Sequence, residues 1–431
     1  MISIIIPIVR PDKAENCIAA IKENAGDVIY EIVAEVDTKR VGCPEMIKRL
    51  VAKTTYDLVM FLGDDTLPQP GFLVEALKCM ECLTDGWGVV GLATEDPRGW
   101  NEQAHFMAHK KMLEYTGGEF YSTEYRHCYG EEELRDIATE MGRFIFAEKA
   151  QILHDHPING KGKVGDEDLL RAYSGENFNH DQNTYFRRKR ERMKKKYGVR
   201  LAIALPLTDD KVYNQFFYSF ISVLTSYMGY LAENGRPIVV DVLMPDYPGQ
   251  IDVIRNNLVQ QALRIGCTHI LFMDTDQMYC TPDMIKRMLD HDKPVLGARV
   301  HRRYMPFDPL MLRGEEGALM TLADDEIRNE DGTFKDEVLV DYTGTGCIMY
   351  DMKIFNDLFP DKPFRLRTGK QGQPVGEDIG FCTTLKELGI PIYVDASIDI
   401  KHLALLATDF GTYKLFRKLL QHKPMHEKAS A

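Results

Sequence analysis

No stretch of the 431-residue chain strings together the roughly 20 apolar residues that a membrane-crossing helix needs, so no transmembrane segment is expected. The N-terminus, Met-Ile-Ser-Ile-Ile-Ile-Pro-Ile-Val, has no basic leader and turns polar at Arg10, so it reads as a strand rather than a signal peptide. Positive charge is short as well: a net charge of −12 argues against a general polyanion binder. The nine cysteines, odd in number and scattered from Cys17 to Cys382, make no disulfide framework, which points to reduced thiols in a cytoplasmic setting. The single C-x-x-C, Cys79 and Cys82, has no second half nearby and falls in a helical pattern, so it reads as helix face before zinc or redox site. Glycine-rich phosphate loops are absent too. No G-x-G-x-x-G follows a strand, which disfavours a dinucleotide dehydrogenase, and Ile5-Ile6-Pro7-Ile8-Val9 lacks the loop expected of a nucleotidylyltransferase.

What is present is an alternation of apolar strands and amphipathic helices, which implies βαβ units and mostly parallel sheets in an α/β protein. Strands are predicted at 2–9, 29–36, 57–62, 88–92 and 143–147, with helices at 11–25, 43–53, 71–82 and from Gly130 to about Met141. Between strand 88–92 and Tyr129 the chain is irregular and aromatic. A run from Arg187 to Lys196, eight of whose ten residues are basic, closes this half. The run reads first as a solvated linker helix and second as a contact for an anionic partner. The same grammar then restarts: strands at 200–205, 237–243, 268–273 and 294–298, with helices at 211–233, 251–265 and 282–290. Two domains are expected, 1–198 and 199–431.

The chemistry gathers at strand ends. Ile270 to Met273 delivers Asp274 and Asp276 into a loop, and residues two apart in an extended segment point the same way, so both carboxylates can serve one cation. They can also simply cap the following helix. Val59-Met60-Phe61-Leu62-Gly63-Asp64-Asp65 aligns with Ile270-Leu271-Phe272-Met273-Asp274-Thr275-Asp276, keeping the last aspartate and replacing the first by Gly63. Further on, Gly376-Glu377-Asp378 opens a helix, a strand follows from Gly389, and then His402; Gly130-Glu131-Glu132-Glu133, Phe144-Ile145-Phe146 and His154 have the same order. Three matches in series imply duplication.

These residues resemble the nucleotide-diphospho-sugar glycosyltransferases of the A-type, Rossmann-like fold, most nearly the family-2-like enzymes, including those that phage genomes encode. The resemblance covers nearly the whole chain as two tandem copies, and the C-terminal copy carries it better, with Arg255-Asn256-Asn257, Asp274-Thr275-Asp276, Gly344-Thr345-Gly346-Cys347, Gly376-Glu377-Asp378 and His402. It implies transfer of a sugar from a nucleotide sugar to an acceptor hydroxyl, assisted by Mn2+ or Mg2+. The implied metal ligands are Asp274, Asp276 and His402, with Asp65 and His154 in the first copy. Asp378 is the implied base, Glu377 its helper, and Glu132 or Glu133 their counterparts, with Gly165-Asp166-Glu167-Asp168 competing for that role. Pro7, Asp37, Asp64, Pro206, Arg255 and Asp274 are the implied nucleotide contacts. Arg299, Arg302 and Arg303 are placed to reach phosphate or acceptor, or to be solvated. Gly63 leaves three readings open: one site per domain, one active domain with a non-catalytic binding domain, or a sugar- or nucleotide-binding protein without catalysis. The acceptor is a glycan, a lipid-linked sugar, a protein hydroxyl, or modified phage DNA guided by the run Arg187–Lys196. Sugar, base and oligomeric state are not readable.

Overall fold

Strand β1 (Ile2–Ile8) is buried along its whole length because helices cover both of its faces. Ile2, Ile4 and Ile6 meet Ala14, Cys17 and Ile21 of helix Pro11–Asn24 and Phe72, Leu73 and Ala76 of helix Phe72–Cys82. Ile5 points the other way, into Ile47 and Leu50 of helix Cys43–Val51 and Leu134 and Ile137 of helix Gly130–Glu140. The computed structural model describes residues 1–96, 99–155, 170–171, 173–209, 211–369, 372, 374–404 and 409–421. The cluster Gly165–Asp168 lies outside them. The chain divides into two compact units, Met1–Lys189 and Arg190–Ala431. The division falls inside helix Gly175–Tyr197, which carries the basic run, whereas the sequence suggested a boundary at that helix's end. No helix among the described residues is long and apolar enough to cross a membrane.

The first unit adds β2 (Tyr30–Val36), β3 (Leu58–Phe61), β4 (Thr66–Pro68), β5 (Val89–Asp96), β6 (Gly99–His109) and β7 (Phe144–His154), in the order β2-β1-β3-β6-β5-β7-β4. β1 is parallel to β2 and β3, as the βαβ alternation predicts. The rest of the sheet is mixed. β6 inserts antiparallel between β3 and β5, β5 runs parallel to β7, and β4 returns antiparallel on β7. β6 returns directly from β5, and an antiparallel neighbour needs no crossover helix, so part of the stretch that reads as irregular, Gly99–His109, is a strand, while the chain from Lys110 to Tyr129 carries none.

The second unit contains β8 (Leu201–Ala204), β9 (Val240–Leu243), β10 (His269–Met273), β11 (Gln277–Tyr279), β12 (Val295–Val300), β13 (Met311–Arg313), β14 (Met320–Thr321), β15 (Val338–Val340), β16 (Tyr342–Thr343), β17 (Cys347–Asp351), β18 (Arg367–Thr368), β19 (Pro374–Val375) and β20 (Ile392–His402). Its main sheet runs β11-β20-β12-β17-β10-β8-β9, with β15 added on β20. Every neighbour along that path has the sense of its counterpart in the first sheet. The irregularities match as well: Leu92 and Ala93 pair with Ala147 and Gln151, and Ala298 and Arg299 pair with Asp395 and Asp399. Helix Asn214–Glu233 buries Phe216, Phe220, Val223, Tyr227 and Leu231, a helical-period stripe, against this sheet.

Candidate functional site

In the first unit the loops that follow β1, β2 and β3 enclose a cavity of about 790 Å³, lined among others by Pro7, Asp37, Asp64, Asp65, Glu132 and His154. It opens beyond the strands' carboxyl ends, the usual ligand side of such sheets. Asp65 begins the short return to β4, where Thr66 pairs with His154, and this sets His154 Nε2 3.2 Å from Asp65 Oδ1. Arg10, just after β1, donates from Nη2 to Asp64 Oδ1 at 2.6 Å and lies 3.0 Å from Asp65 Oδ2. Asp64 also accepts from the backbone N–H groups of Val9 (2.7 Å) and Arg10 (2.6 Å), so it ties the β1 loop to the β3 loop. Burial disfavours the Asp65 carboxylate, but His154, Arg10 and His105 outweigh it and hold its carboxyl well below the usual range.

His105 escaped the sequence reading, and only the register of β6 on β3 brings it here. A Cβ on Gly63 would stand 3.0 Å from Asp65 Oδ1 and 3.3 Å from His105 Nε2. Gly63→Ala is therefore expected to destabilise the first unit by about 1–3 kcal/mol through overpacking, measurable by thermal unfolding. A stability equal to wild type would mean that the loop yields.

Asp37 accepts from the N–H groups of Val41 (2.9 Å) and Gly42 (3.0 Å), shaping the cavity's edge. Arg126, His127 and Cys128 also line the cavity, and behind them Asp181, fully buried on helix Gly175–Tyr197, accepts from their three N–H groups, each at 2.8 Å. Sequence inspection offers no signal for it. Of the acidic cluster, Glu131 and Glu132 line the cavity. Glu133 instead takes Arg188 Nε on both oxygens, at 3.0 and 2.9 Å. The basic run is largely engaged at its start: Arg187 and Arg188 pair with Glu124, and Lys189 pairs with Asp136. Lys194, Lys195 and Lys196 are exposed.

The second unit repeats the aspartate–histidine pair. Asp276 precedes β11, where Gln277 pairs with His402, and His402 Nε2 lies 3.3 Å from Asp276 Oδ2. The other ring nitrogen, Nδ1, is 2.8 Å from the His301 carbonyl. Even the backbone bond beside the pair recurs: Leu403 N donates to Asp276 O (2.8 Å) as Asp155 N donates to Asp65 O (2.9 Å). Burial works against the charged His402 ring, but its bonds to Asp276 and the His301 carbonyl prevail and raise its pKa. Burial likewise opposes the Asp276 carboxylate, which His402 and Arg303 nevertheless hold low. Arg303 reaches Asp276 from the segment after β12.

Asp274 takes a different cation. Arg255 Nη2 donates to its Oδ1 at 3.1 Å, while Arg255 Nη1 sits 3.0 Å from Glu377 Oε1, so one guanidinium links the strand-end loop to helix Glu377–Glu387. Arg255 is 3% exposed and braces carboxylates rather than facing solvent. Burial raises the pKa of both Asp274 and Glu377, with Arg255 pulling the other way. Asp378 is half-buried, its Oδ1 accepting from Ile379 N at 2.7 Å. Pro206 is buried at the end of β8. Among the described residues, no three His, Cys, Asp or Glu side chains already converge as a metal cage.

No family model matches the chain. Over 172 residues it is 26% identical to the mannan polymerase complex subunit MNN9 of Candida albicans (strain SC5314 / ATCC MYA-2876), a stretch covering 32% of this chain and 45% of that protein. The chain thus spans less than half the length of that curated relative. Among solved structures, A197 from STIV aligns with a TM-score of 0.29 and 14% identity, over 49% of this chain and 97% of that one. GalNAc-T7, determined with UDP, GalNAc and Mn2+, aligns with a TM-score of 0.34 and 10% identity, over 52% of this chain and 48% of that one.

Proposed function

We propose that the protein is a glycosyltransferase built from two copies of one A-type domain, moving a sugar from a nucleotide-diphosphate donor to an acceptor hydroxyl. One observation carries this reading: the same aspartate–histidine pair, Asp65 with His154 and Asp276 with His402, stands at the same strand register beside the carboxyl ends of two sheets of one topology. The stretch related to a subunit of a polysaccharide-building complex agrees with it and favours a glycan as acceptor.

In the second unit the donor set suits a divalent ion. A carboxylate and an imidazole face each other, and the ring's far nitrogen is anchored on a backbone carbonyl, as metal-ligating histidines are. Mixed oxygen and nitrogen ligation favours Mn2+, with Mg2+ second. Such an ion would supply positive charge to the departing diphosphate. Arg303, 45% exposed, can swing off Asp276 to admit it. Arg255 fixes Asp274 and Glu377, and Asp378 at the mouth of its helix is the group to take the acceptor's proton.

A second reading, one active domain and one binding domain, is favoured by Gly63 and by the bonds Asp64 already makes to Arg10. The second unit is then the catalyst. A polyanionic acceptor such as modified DNA is less favoured, because Arg187, Arg188 and Lys189 are engaged within the first unit, leaving chiefly Lys194, Lys195 and Lys196 to meet it.

The deciding assay screens UDP-, GDP-, dTDP- and CMP-sugars for Mn2+-dependent release of free nucleotide. No release and no binding with any of them would remove the enzyme reading. With a donor in hand, Asp378→Asn should leave donor affinity within about threefold while lowering turnover on the order of 100-fold or more, since a base acts on the acceptor. Near-normal turnover in that variant would move the base elsewhere.

A further inference from the structure

The duplication supplies an internal control for helix Asn214–Glu233, which follows β8 as helix Pro11–Asn24 follows β1. On the earlier helix the positions one residue beyond the buried Ala14 and Ile21 are Glu15 and Lys22, both exposed, so its outward side is charged. On the later helix the positions one residue beyond the buried Phe216, Phe220 and Tyr227 are Phe217, Ile221 and Met228, which are 52%, 40% and 36% exposed. One residue turns a helix by about 100°, so these side chains form a second apolar stripe beside the one that meets the sheet, with half-buried Leu224 between them. Tyr218, 75% exposed, adds to it. No charged residue occurs from Asn214 to Ala232. The edge strand β9 extends the same face: Val240 packs into the core beneath this helix, so Val242, two residues on and 39% exposed, points to the same side of the sheet. The fold itself does not require such a surface, because its first copy does without one.

We infer that this face is where two copies of the chain meet, their Asn214–Glu233 helices packing antiparallel about a two-fold axis. The stripe pairs with itself: an axis passing between Ser222 and Val223 sets Phe217 against Met228 of the second copy and Ile221 against Leu224 of the second copy. The helix ends agree with the same register. Asp209 and Lys211 stand before the helix and Glu233 and Arg236 at its far end, all four exposed. Antiparallel packing brings each copy's Lys211 to the other's Glu233 and each Asp209 to the other's Arg236, whereas parallel packing sets every charge against its like. A two-fold contact uses one patch twice and so needs this self-complementarity, with an apolar centre and a charged rim. A lipid surface fits less well, because the helix offers no basic side chain along its length to a headgroup and the chain carries a net charge of −12.

Sedimentation equilibrium on the full chain tests this. The wild type should be a dimer whose dissociation constant rises on the order of 100-fold in Ile221→Glu, which sets two carboxylates beside each other near the two-fold axis. Ile221 is exposed, so circular dichroism should find that variant folded like the wild type. Lys211→Glu and Glu233→Lys should each weaken the dimer about fivefold, and the two together should restore most of the loss. A wild type that stays monomeric, a dimer indifferent to Ile221→Glu, or a double variant no tighter than either single one would each overturn the inference. So would a monomeric wild type that sediments with phosphatidylcholine vesicles and ceases to do so in Ile221→Glu, because the face would then belong to a lipid surface.

Discussion

Replacing Arg255 by methionine is expected to destabilise the second unit by about 3–5 kcal/mol, the range for removing one partner of a buried ion pair. The side chain is 3% exposed and serves two carboxylates at once, Asp274 at 3.1 Å and Glu377 at 3.0 Å. Methionine fills much of the volume and leaves both acids facing an apolar end, next to Phe272 and Phe364, whose rings lie 5.8 and 6.0 Å from the guanidinium. Denaturant unfolding of the full chain would register the loss. If the cause is stranded charge rather than lost packing, adding Asp274→Asn and Glu377→Gln to Arg255→Met should restore a large part of it. A single variant as stable as wild type would deny Arg255 this bracing role.

Asp276→Asn should abolish Mn2+-dependent nucleotide binding in the second unit while leaving the melting temperature nearly unchanged. Its cationic partner Arg303 is 45% exposed and regains water when the charge goes, so the fold loses little. A ligand set loses much more: even partners outside the ligand shell are worth about 10- to 100-fold in metal affinity, so loss of the ligand itself should cost on the order of 100-fold or more. Calorimetry with and without Mn2+ separates the two effects. Undiminished Mn2+-dependent affinity would refute the assignment of Asp276.

What could be read in the sequence was whatever depends on local pattern. Apolar runs that are buried on both faces announced β1, β3, β8 and β10, and the helix periods were legible to within a few residues at each end. The pairings of Asp65 with His154 and Asp276 with His402 were within reach because order along the chain preserves a repeated topology. Partners that meet through tertiary register were not legible. β6 and β17 insert antiparallel into a series of parallel strands, and no spacing in Gly99–His109 foretells that His105 will lie beside Gly63. The partners of charged groups were hidden for the same reason. Glu133 looks equivalent to Glu132 in a row of three, but one residue along a helix turns a side chain by about 100°, which carries it to Arg188. Asp64, expected at the nucleotide, is held by Arg10, a residue that neither charge pattern nor motif marks out.

Asp181 has a bearing on kinetics. Its carboxylate gathers three consecutive amides from a segment more than fifty positions earlier in the chain, and it does so before any ligand arrives. A wall already immobilised contributes no ordering entropy at the moment of association, so the encounter need not wait for the loop to close. The amides of Arg126, His127 and Cys128 should exchange with solvent only when the whole unit opens, and a bound nucleotide should slow that exchange no more than it slows the unit's global opening.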